Sequence, residues 1–454
     1  MMGGHRRAAA AGWGLVATLT DLLPPRLRYG YVHRAGRALA RRPLPALRVA
    51  LEPVTEALVP PAEPPAAADI ARPVCVLAAD ELDIGGIGAV IEMLAGGLGR
   101  HGVTPVVVCQ GDGARAARLR SAGIDVHSVA DEDSARAALE DIGPAVLTSH
   151  SAPPFLERAI LDSGRPVVPV LHNTEIHYTR RRWAEVATMM ASAVVAVAVS
   201  TTVRDFHERR LGNATPIAVI PNGAPEIPPP TAVARAAARA SLSAVIGAEV
   251  GDDVVFVCLA RYDAQKNVAG LVAAFGGAAA TDAVRLVYAG EPSDRVEYLR
   301  ADALRRAGSA PDRIHLLGNS DARTLLLAAD AFVLDSFFEG WPVAATEAAA
   351  HGHPLILSDV GGARELVARD AGRSVLIPNP TGPADRVSDA RVSAARRRAA
   401  RQTTAADLQN AVAAVARTVR AERLTGRPPV RSPGLEEMLA QHAALVREVT
   451  AGAA

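Results

Sequence analysis

Short runs of almost entirely apolar residues alternate along this chain with segments of helical periodicity, and this alternation limits the folds open to it. A strand with no polar face is buried on both sides, which happens when helices cover both faces of a parallel sheet. The pattern therefore predicts a parallel α/β sheet covered on both faces. Strands are predicted at Pro73–Ala79, Thr104–Cys109, Ala145–Thr148, Val167–Leu171 and Val194–Val199, and the first helix at Gly85–Leu98.

The same alternation begins a second time after the turn-forming sequence Pro221-Asn222-Gly223. Two successive series predict two Rossmann-like α/β domains. The second series has helices at Ala232–Ile246 and Val268–Phe275 and strands at Val254–Ala260, Val284–Ala289, Arg313–Leu317, Ala331–Leu334 and Pro354–Leu357.

Four parts are predicted along the chain. Residues 1–70 form a basic, proline-rich extension, residues 71–225 the first Rossmann-like domain, and residues 226–433 the second. Residues 434–454 hold an amphipathic last helix, predicted from Gly434 to Val449, which is a candidate to pack back on the first domain. The acidic triplet at residues 131–133 is interpreted as helix capping, and the arginine-rich run Ala394–Arg401 as a solvated helix face.

Composition excludes several classes of partner. The net charge of +1 creates no overall field that calls for nucleic acid, and the aromatic residues, at 4%, form no base-stacking ladder. The three cysteines, Cys75, Cys109 and Cys258, lie in apolar runs with no metal-ligand spacing. An odd number of buried thiols argues against a disulfide framework and favours a reducing, cytoplasmic setting.

The first fifty residues carry nine arginines against one acid, Asp21, with apolar residues between them. Three interpretations remain open. The segment is a weak signal peptide, a basic amphipathic segment that docks on anionic lipid at the inner face of a membrane, or an ordinary, partly ordered extension. No apolar run reaches the roughly 20 residues that a membrane span needs.

The segment from Leu334 to Leu366 is the most informative for chemistry. A predicted strand ends at Leu334, a loop carries Glu339-Gly340, and Pro342 is suited to open a helix whose first residues include Val343 and whose interior holds Glu347. Unpaired N–H groups and the positive dipole end at a helix start suit a diphosphate. In such a sheet, ligands bind beyond the carboxyl ends of the strands.

With its flanking residues, the Glu339-x7-Glu347 spacing resembles that of the family 4 retaining glycosyltransferases, from about Val74 to Leu376. The resemblance implies the GT-B fold, two Rossmann-like domains facing across a cleft that holds the donor. It implies that Glu347 binds the donor ribose hydroxyls, that Glu339 contacts the transferred sugar, and that the helix start binds the leaving diphosphate. The flanking residues are Asp335-Ser336, Gly352-x-Pro354 and Gly361-Gly362.

Two cations follow the predicted strand at Val254–Ala260. Arg261 leaves its end, and Lys266, the only lysine in the chain, lies five residues further on. Cations placed beside a leaving diphosphate stabilise the charge that develops there. Arginine grips bidentately while lysine acts as a point charge, so the two are not interchangeable. The spacing is similar to the Arg-x4-Lys pair with which the same family binds the donor diphosphate.

The first half of the chain supplies further candidates. Gly85-Gly86 opens the first helix, where glycine lets a ligand approach the backbone, although a plain tight turn explains it equally well. By the same resemblance, His150 is predicted to contact the donor sugar. His172-Asn173 resembles the second histidine motif, and Asn222 belongs either to a late motif of the family or to an interdomain turn.

The resemblance therefore predicts a metal-independent hexosyltransferase that retains anomeric configuration, with no cofactor beyond the nucleoside-diphosphate sugar as co-substrate. The acceptor is not identified, and a lipid-linked acceptor or a small glycoside are both open. Alternative hypotheses are a nucleotide-sugar epimerase or a sugar-phosphate synthase on the same fold, or a non-catalytic nucleotide-sugar-binding protein. The chain departs from the family at Asn267, where glycine is usual, at Gly290-Glu291-Pro292, where Gly-x-Gly is common, and at Asp335, where proline is usual.

Overall fold

The computed structural model describes residues 2–23, 44–46, 72–82, 85–212, 214–370, 372–425 and 434–453. They form two compact units. The β1–β7 unit holds the described residues within Leu51–Thr174, Thr179–Ala224 and Gly434–Ala454. The β8–β13 unit holds those within Met1–Ala50, Glu175–Tyr178 and Pro225–Pro433.

The two units are built from alternating strands and helices. The strands are β1 (Val74–Ala79), β2 (Thr104–Gln110), β3 (Asp125–Val129), β4 (Val146–His150), β5 (Val167–Leu171), β6 (Ala196–Ala198), β7 (Ile217–Val219), β8 (Val254–Leu259), β9 (Val284–Ala289), β10 (Ile314–Leu317), β11 (Ala331–Leu334), β12 (Leu355–Ser358) and β13 (Val375–Ile377). The helices are α1 (Met2–Thr20), α2 (Gly86–Gly97), α3 (Ala114–Ser121), α4 (Glu132–Ile142), α5 (Pro154–Asp162), α6 (Arg180–Ser192), α7 (Thr201–Leu211), α8 (Ala232–Ile246), α9 (Val268–Ala279), α10 (Arg295–Ala307), α11 (Ala322–Ala328), α12 (Val343–Ala350), α13 (Ala363–Ala368), α14 (Asp389–Arg397), α15 (Ala405–Thr425) and α16 (Leu435–Ala453).

Each unit has one parallel sheet of Rossmann-like order. The strand order is β3-β2-β1-β4-β5-β6-β7 in one unit and β10-β9-β8-β11-β12-β13 in the other. In each sheet, the strand order reverses between the first and fourth strands of its unit. The loops after β1 and β4 are therefore neighbours at the carboxyl edge of one sheet, and those after β8 and β11 are neighbours at the carboxyl edge of the other. Ligands of doubly wound sheets bind at this switch point.

Buried apolar side chains account for both sheets. The side chains of β1, β4 and β5 are almost entirely buried, as are those of β8, β9 and β11. The predicted strands are therefore confirmed. The sequence prediction missed β3, which carries Asp125, His127 and Ser128 among its five residues, and the three-residue strands β7 and β13.

Helix capping by the acidic triplet is confirmed. Asp131 precedes α4 and accepts a hydrogen bond from the Ser134 backbone N–H at 2.9 Å, while Ser134 caps in return. The predicted solvated face at Ala394–Arg401 is wrong at Arg396, whose residue is only 1% exposed. Its guanidinium donates to Glu297 and to Asp21, each at 2.6 Å. A buried arginine is tolerated because carboxylates neutralise it.

The last helix, α16, packs within the β1–β7 unit. A Cβ on Gly97 would lie 2.4 Å from Leu439, and one on Gly223 would lie 2.4 Å from the Gly434 carbonyl. Ala224 pairs with Gly434 as an isolated parallel bridge. Two glycines therefore admit α16 by leaving out their side chains, which gives Gly223 a packing role.

Candidate active site

The loops after β8 and β11 bring together two of the predicted residues. The Lys266 ammonium donates to a Glu339 carboxylate oxygen at 2.5 Å, although 73 residues separate them in the chain. The side chains are 16% and 7% exposed, so little solvent screens the pair. A lysine ammonium has three donors, so Lys266 can bind Glu339 and still donate to a phosphate oxygen.

A second residue of the same loop supports this pair. The Gln265 side-chain amide donates to the Phe338 carbonyl at 2.8 Å and to the second Glu339 oxygen at 3.2 Å. Asp263 shapes the turn, since its carboxylate accepts the backbone N–H groups of Gln265 and Lys266. Sequence reasoning did not single out Gln265, because a glutamine beside a cation has no distinctive pattern of its own.

Arg261 lies at the start of the same loop and has a different environment. Its side chain is half exposed and pairs with Asp263 at 3.1 Å. The Tyr288 hydroxyl donates to the Arg261 carbonyl at 2.8 Å and fixes the backbone there. Gly290 is required beside it, because a Cβ would lie 2.0 Å from the Ala260 carbonyl oxygen. Although the Gly290-Glu291-Pro292 sequence differs from the usual Gly-x-Gly of the family, its first glycine is thus needed for packing.

Two of the departures from the family meet beneath this loop. The Asn267 side-chain amide donates to Asp335 Oδ2 and to the side-chain oxygen Oε1 of Gln402, both at 2.9 Å, and the Gln402 side-chain amide donates to the same Asp335 oxygen at 2.9 Å. Asp335 is fully buried, and burial raises the pKa of its carboxyl group to about 7. The second carboxylate oxygen of Asp335 (Oδ1) and the side-chain oxygen of Asn267 are buried and have no hydrogen-bond partner in the described residues.

The predicted helix start is confirmed at Val343, the first residue of α12, with Pro342 at the capping position rather than inside the helix. The first intrahelical bonds are made by the N–H groups of Ala345 and Thr346 to the Pro342 carbonyl. The preceding amides at Val343 and Ala344 are therefore left for other acceptors. Glu347 lies within α12, where the sequence predicted it.

The glycines around this helix start are closely packed. The Gly362 N–H donates to the Gly340 carbonyl at 2.9 Å, and a Cβ on Gly361 would lie 2.3 Å from that same oxygen. A Cβ on Gly362 would lie 2.0 Å from the Trp341 ring. The Gly361-Gly362 pair thus allows the Glu339-Gly340 loop to rest on the start of α13.

In the β1–β7 unit, His150 ends β4 and is fully buried. Its Nε2 lies 3.1 Å from the Thr148 hydroxyl, which donates to the Val76 carbonyl at 3.0 Å, so Nε2 carries the proton. Its Nδ1 lies 3.0 Å from His172 Nε2 and accepts from it. The structure thus brings the two predicted histidines together, and both ring nitrogens of His150 bind protein groups.

These histidines are neutral at physiological pH. Burial, and then the nearby His172 and His442, hold the pKa of His150 well below its usual value. Burial lowers the pKa of His172 to about 3 and that of His442 to about 4. A neutral imidazole has one donor and one acceptor, and in His150 these are used by Thr148 and His172. Sequence analysis missed His442, which lies on α16, far along the chain.

The other residues of the β1–β7 unit that the sequence predicted for the site do not belong to this histidine cluster. Gly85 precedes α2 with φ +147°, a conformation that favours glycine, and both Gly85 and Gly86 are exposed. Asn173 follows His172 and accepts the Thr174 N–H at 2.8 Å. Asn222 is buried beside the Gly223 contact with α16. The preceding residues of the glycine loop, Asp83 and Ile84, lie outside the described residues.

The described residues offer neither a metal-binding cluster nor a membrane-spanning helix. No group of three or more His, Cys, Asp or Glu residues within the described ranges is arranged to hold a metal ion. Among these same residues, no helix is long and apolar enough to cross a membrane. The three cysteines are buried and unpaired by disulfides.

Two Rossmann-like units, each with its chemistry-bearing loops at the carboxyl edge of the sheet, define the GT-B class of glycosyltransferase fold. Solved structures of this class are similar to the chain. The Anabaena protein HepE, in complex with UDP and glucose, is 16% identical, with 83% of this chain and 100% of that chain covered and a TM-score of 0.60. A glycosyltransferase from Rickettsia africae is 14% identical (83% and 98% covered, TM-score 0.60), and a sucrose-phosphate synthase from Thermosynechococcus elongatus is 16% identical (84% and 100% covered, TM-score 0.57).

Family models give the more specific result. The model for "Glycosyl transferases group 1" matches residues 253–390, and the model for "Glycosyltransferase Family 4" matches residues 84–226. No curated protein sequence matches the chain. The chain belongs to the family 4, group 1 type of glycosyltransferase, which confirms the family and the fold class expected from the Glu339-x7-Glu347 spacing.

Proposed function

We propose that this glycosyltransferase moves a hexosyl group from a nucleoside-diphosphate sugar to an acceptor hydroxyl, with retention of anomeric configuration and without a metal ion. The observation that carries the proposal is the buried Lys266–Glu339 ion pair at the carboxyl edge of the β8–β13 sheet. A cation and a carboxylate held side by side offer one group to a phosphate and the other to a sugar hydroxyl. This is the chemistry that a nucleotide-sugar donor needs.

Each residue of the β8–β13 unit takes a specific part in the proposal. Lys266 and Arg261 bind the leaving diphosphate, together with the backbone amides at Gly340 and Val343. Glu339 accepts hydrogen bonds from the transferred sugar, and Glu347 from the ribose. Because Gln265 and Lys266 each occupy one oxygen of Glu339, the carboxylate is preorganised for the sugar.

The β1–β7 unit is proposed to contribute His150 to the sugar contact, with Gly85 and Gly86 near the donor and His172, Asn173 and Asn222 as sugar or acceptor contacts. His150 is neutral and hydrogen-bonded on both nitrogens, so in this proposal it exchanges one of these partners for a sugar hydroxyl and does not act as a charged acid. The proposed setting is the cytoplasm, and the acceptor is lipid-linked or a small glycoside.

A thermal-shift screen of nucleotide sugars tests donor binding directly, because a ligand that binds the folded state stabilises it by mass action. The complexes of HepE with UDP and with UDP-glucose make UDP-glucose the first donor to test. NMR of the product then reports the anomeric configuration. A donor that binds while showing neither transfer nor slow hydrolysis would favour a non-catalytic sugar-binding protein, and product analysis without acceptor would reveal an epimerase.

Two variants of Lys266 sharpen this test. Lys266→Met keeps the side-chain length and removes the charge, so we expect kcat/KM to fall by at least about 100-fold, as for the loss of a charge-stabilising donor. Lys266→Arg keeps the charge but changes its shape, and should recover only part of the activity. Arg417→Met removes an exposed cation of α15 and serves as the control, which should behave like the wild type. Equal activity of all three variants would refute the assignment.

A further inference from the structure

Exposed apolar side chains concentrate on one helix. Seven large hydrophobic residues are exposed in the part of the chain that the structure describes, and four of them fall between Leu15 and Leu22. Leu15, Leu19 and Leu22 are 63%, 56% and 81% exposed. Single exposed leucines are common on protein surfaces, but a cluster on one element indicates an interaction site.

Helical spacing places these residues on one face. Ala8, Ala11, Leu15 and Leu19 recur at intervals of three or four residues along α1, and Leu22 follows in the turn beyond it. The opposite face carries Ala17, which is 2% exposed. From Ala8 to Leu19 the outward face of α1 therefore carries no acid and no base, and the exposed His5 lies on it one turn earlier.

The orientation of this face is fixed from below. The buried Arg396 guanidinium donates to the Ala17 carbonyl at 3.3 Å, the Thr20 hydroxyl at 3.1 Å and the Asp21 carboxylate at 2.6 Å. These three bonds hold the last turn of α1 against the β8–β13 unit, where α1 packs on α10. Since the guanidinium holds the inward face, the leucines point outward as part of the fold.

The positive charge of α1 indicates which kind of surface its apolar face contacts. Arg6 and Arg7 are exposed at the start of α1, and the first fifty residues hold nine arginines. Their single acid, Asp21, is already paired with Arg396 inside the protein. Arg6 and Arg7 therefore add positive charge to the helix that carries the apolar face. A second copy of the chain would bring like charges together, whereas an anionic bilayer supplies both hydrocarbon and negative charge.

We propose that α1 is a membrane-docking helix that lies in the plane of an anionic lipid surface, with Leu15, Leu19 and Leu22 inserted and Arg6 and Arg7 at the headgroups. This inference rests on the lipid-linked acceptor named as one of the two in the proposed function. The test of docking uses neither donor nor acceptor, so the docking proposal and the proposed function can fail separately. If the docking holds, it brings the β8–β13 unit to a surface where lipid-linked acceptors are found.

Vesicle co-sedimentation tests the docking. The full chain is mixed with phosphatidylcholine vesicles that contain roughly one-third phosphatidylglycerol, and with vesicles of phosphatidylcholine alone. We expect binding to the anionic vesicles that weakens as salt is added. The double variant Leu15→Ser/Leu19→Ser should lower the partition coefficient at least about tenfold, because each leucine loses its buried apolar area. Arg6→Gln/Arg7→Gln should lower it by roughly tenfold or more on anionic vesicles only.

Leu424→Ser is the matched control, since Leu424, at the end of α15, is a leucine that is even more exposed, at 89%. It should bind vesicles as the wild type does. Wild-type binding that the α1 variants leave unchanged, or no binding at all, overturns the proposal. A leucine-dependent change in sedimentation coefficient without vesicles would show that a second copy covers the face instead, which also overturns it.

Discussion

Replacing Asp335 with asparagine should remove a pH-dependent loss of stability. Burial raises the pKa of the Asp335 carboxyl group from 3.8 to about 7 in the folded protein. A raised pKa means that the folded state holds the proton more tightly than the unfolded state. The resulting stability is fully present below the unfolded pKa and is lost as pH rises through the folded pKa.

The magnitude follows from these two values. Each unit of pKa shift corresponds to about 1.4 kcal/mol, so the full cost of the buried carboxyl group at high pH is about 4 kcal/mol. Between pH 5 and pH 8 the wild type should lose about 2–3 kcal/mol of unfolding free energy from this group alone. The variant Asp335→Asn has the same shape and cannot ionise, so this loss should be absent.

Urea denaturation of wild type and Asp335→Asn at pH 5, 6, 7 and 8 measures the effect as a difference, in which the other titrating groups cancel. The stability of the variant relative to the wild type should rise from pH 5 to pH 7 and level off towards pH 8. Asp407→Asn, at an exposed position of α15, is the control and should follow the wild type. A difference between wild type and Asp335→Asn that stays constant from pH 5 to pH 8 would refute the reasoning.

Two further predictions concern packing and the histidine cluster. Gly223→Ala should lower the unfolding free energy by about 1–3 kcal/mol in urea denaturation, because its Cβ would meet the Gly434 backbone; Gly99→Ala, with nothing within 4 Å of the new Cβ, should not. Thr148→Val removes the acceptor of the His150 Nε2–H. We expect a change of the His150 tautomer, visible in the ¹⁵N NMR spectrum of its ring. We also expect kcat to fall by more than any change in KM. An unchanged spectrum would contradict the hydrogen-bond assignment, and Thr188→Val, whose hydroxyl binds only its own helix, is the control.

Local sequence patterns predict much of this fold because the strands are buried on both faces. The runs at β5 and β9 contain almost no polar residue, and their predicted bounds coincide with the observed ones. The strand β3 carries three polar residues in five, and only Val126 and Val129 are buried, so apolar continuity does not reveal it. The three residues of β7 are too few to show any period.

Long-range pairing limits what a sequence pattern can reveal about the site. Lys266 and Glu339 were each predicted from local motifs, but their ion pair spans 73 residues and depends on the adjacent strands β8 and β11. Arg396 was misinterpreted for the same reason. Its carboxylate partners lie 99 and 375 residues away, at Glu297 and Asp21, so its own neighbourhood looks like a solvated arginine-rich helix.

The departures at Asn267 and Asp335 are best understood together. In the sequence they stand 68 residues apart as unrelated exceptions, but in the structure one side chain hydrogen-bonds the other. Asn267 has φ +46°, a conformation that glycine adopts freely and that asparagine tolerates better than most residues. The asparagine therefore preserves the backbone path that glycine provides, and adds an amide that satisfies one oxygen of a buried aspartate. Because Asn267 directly follows Lys266, this hydrogen bond ties the cation's loop to the end of β11, and the two departures together help to position the Lys266–Glu339 pair.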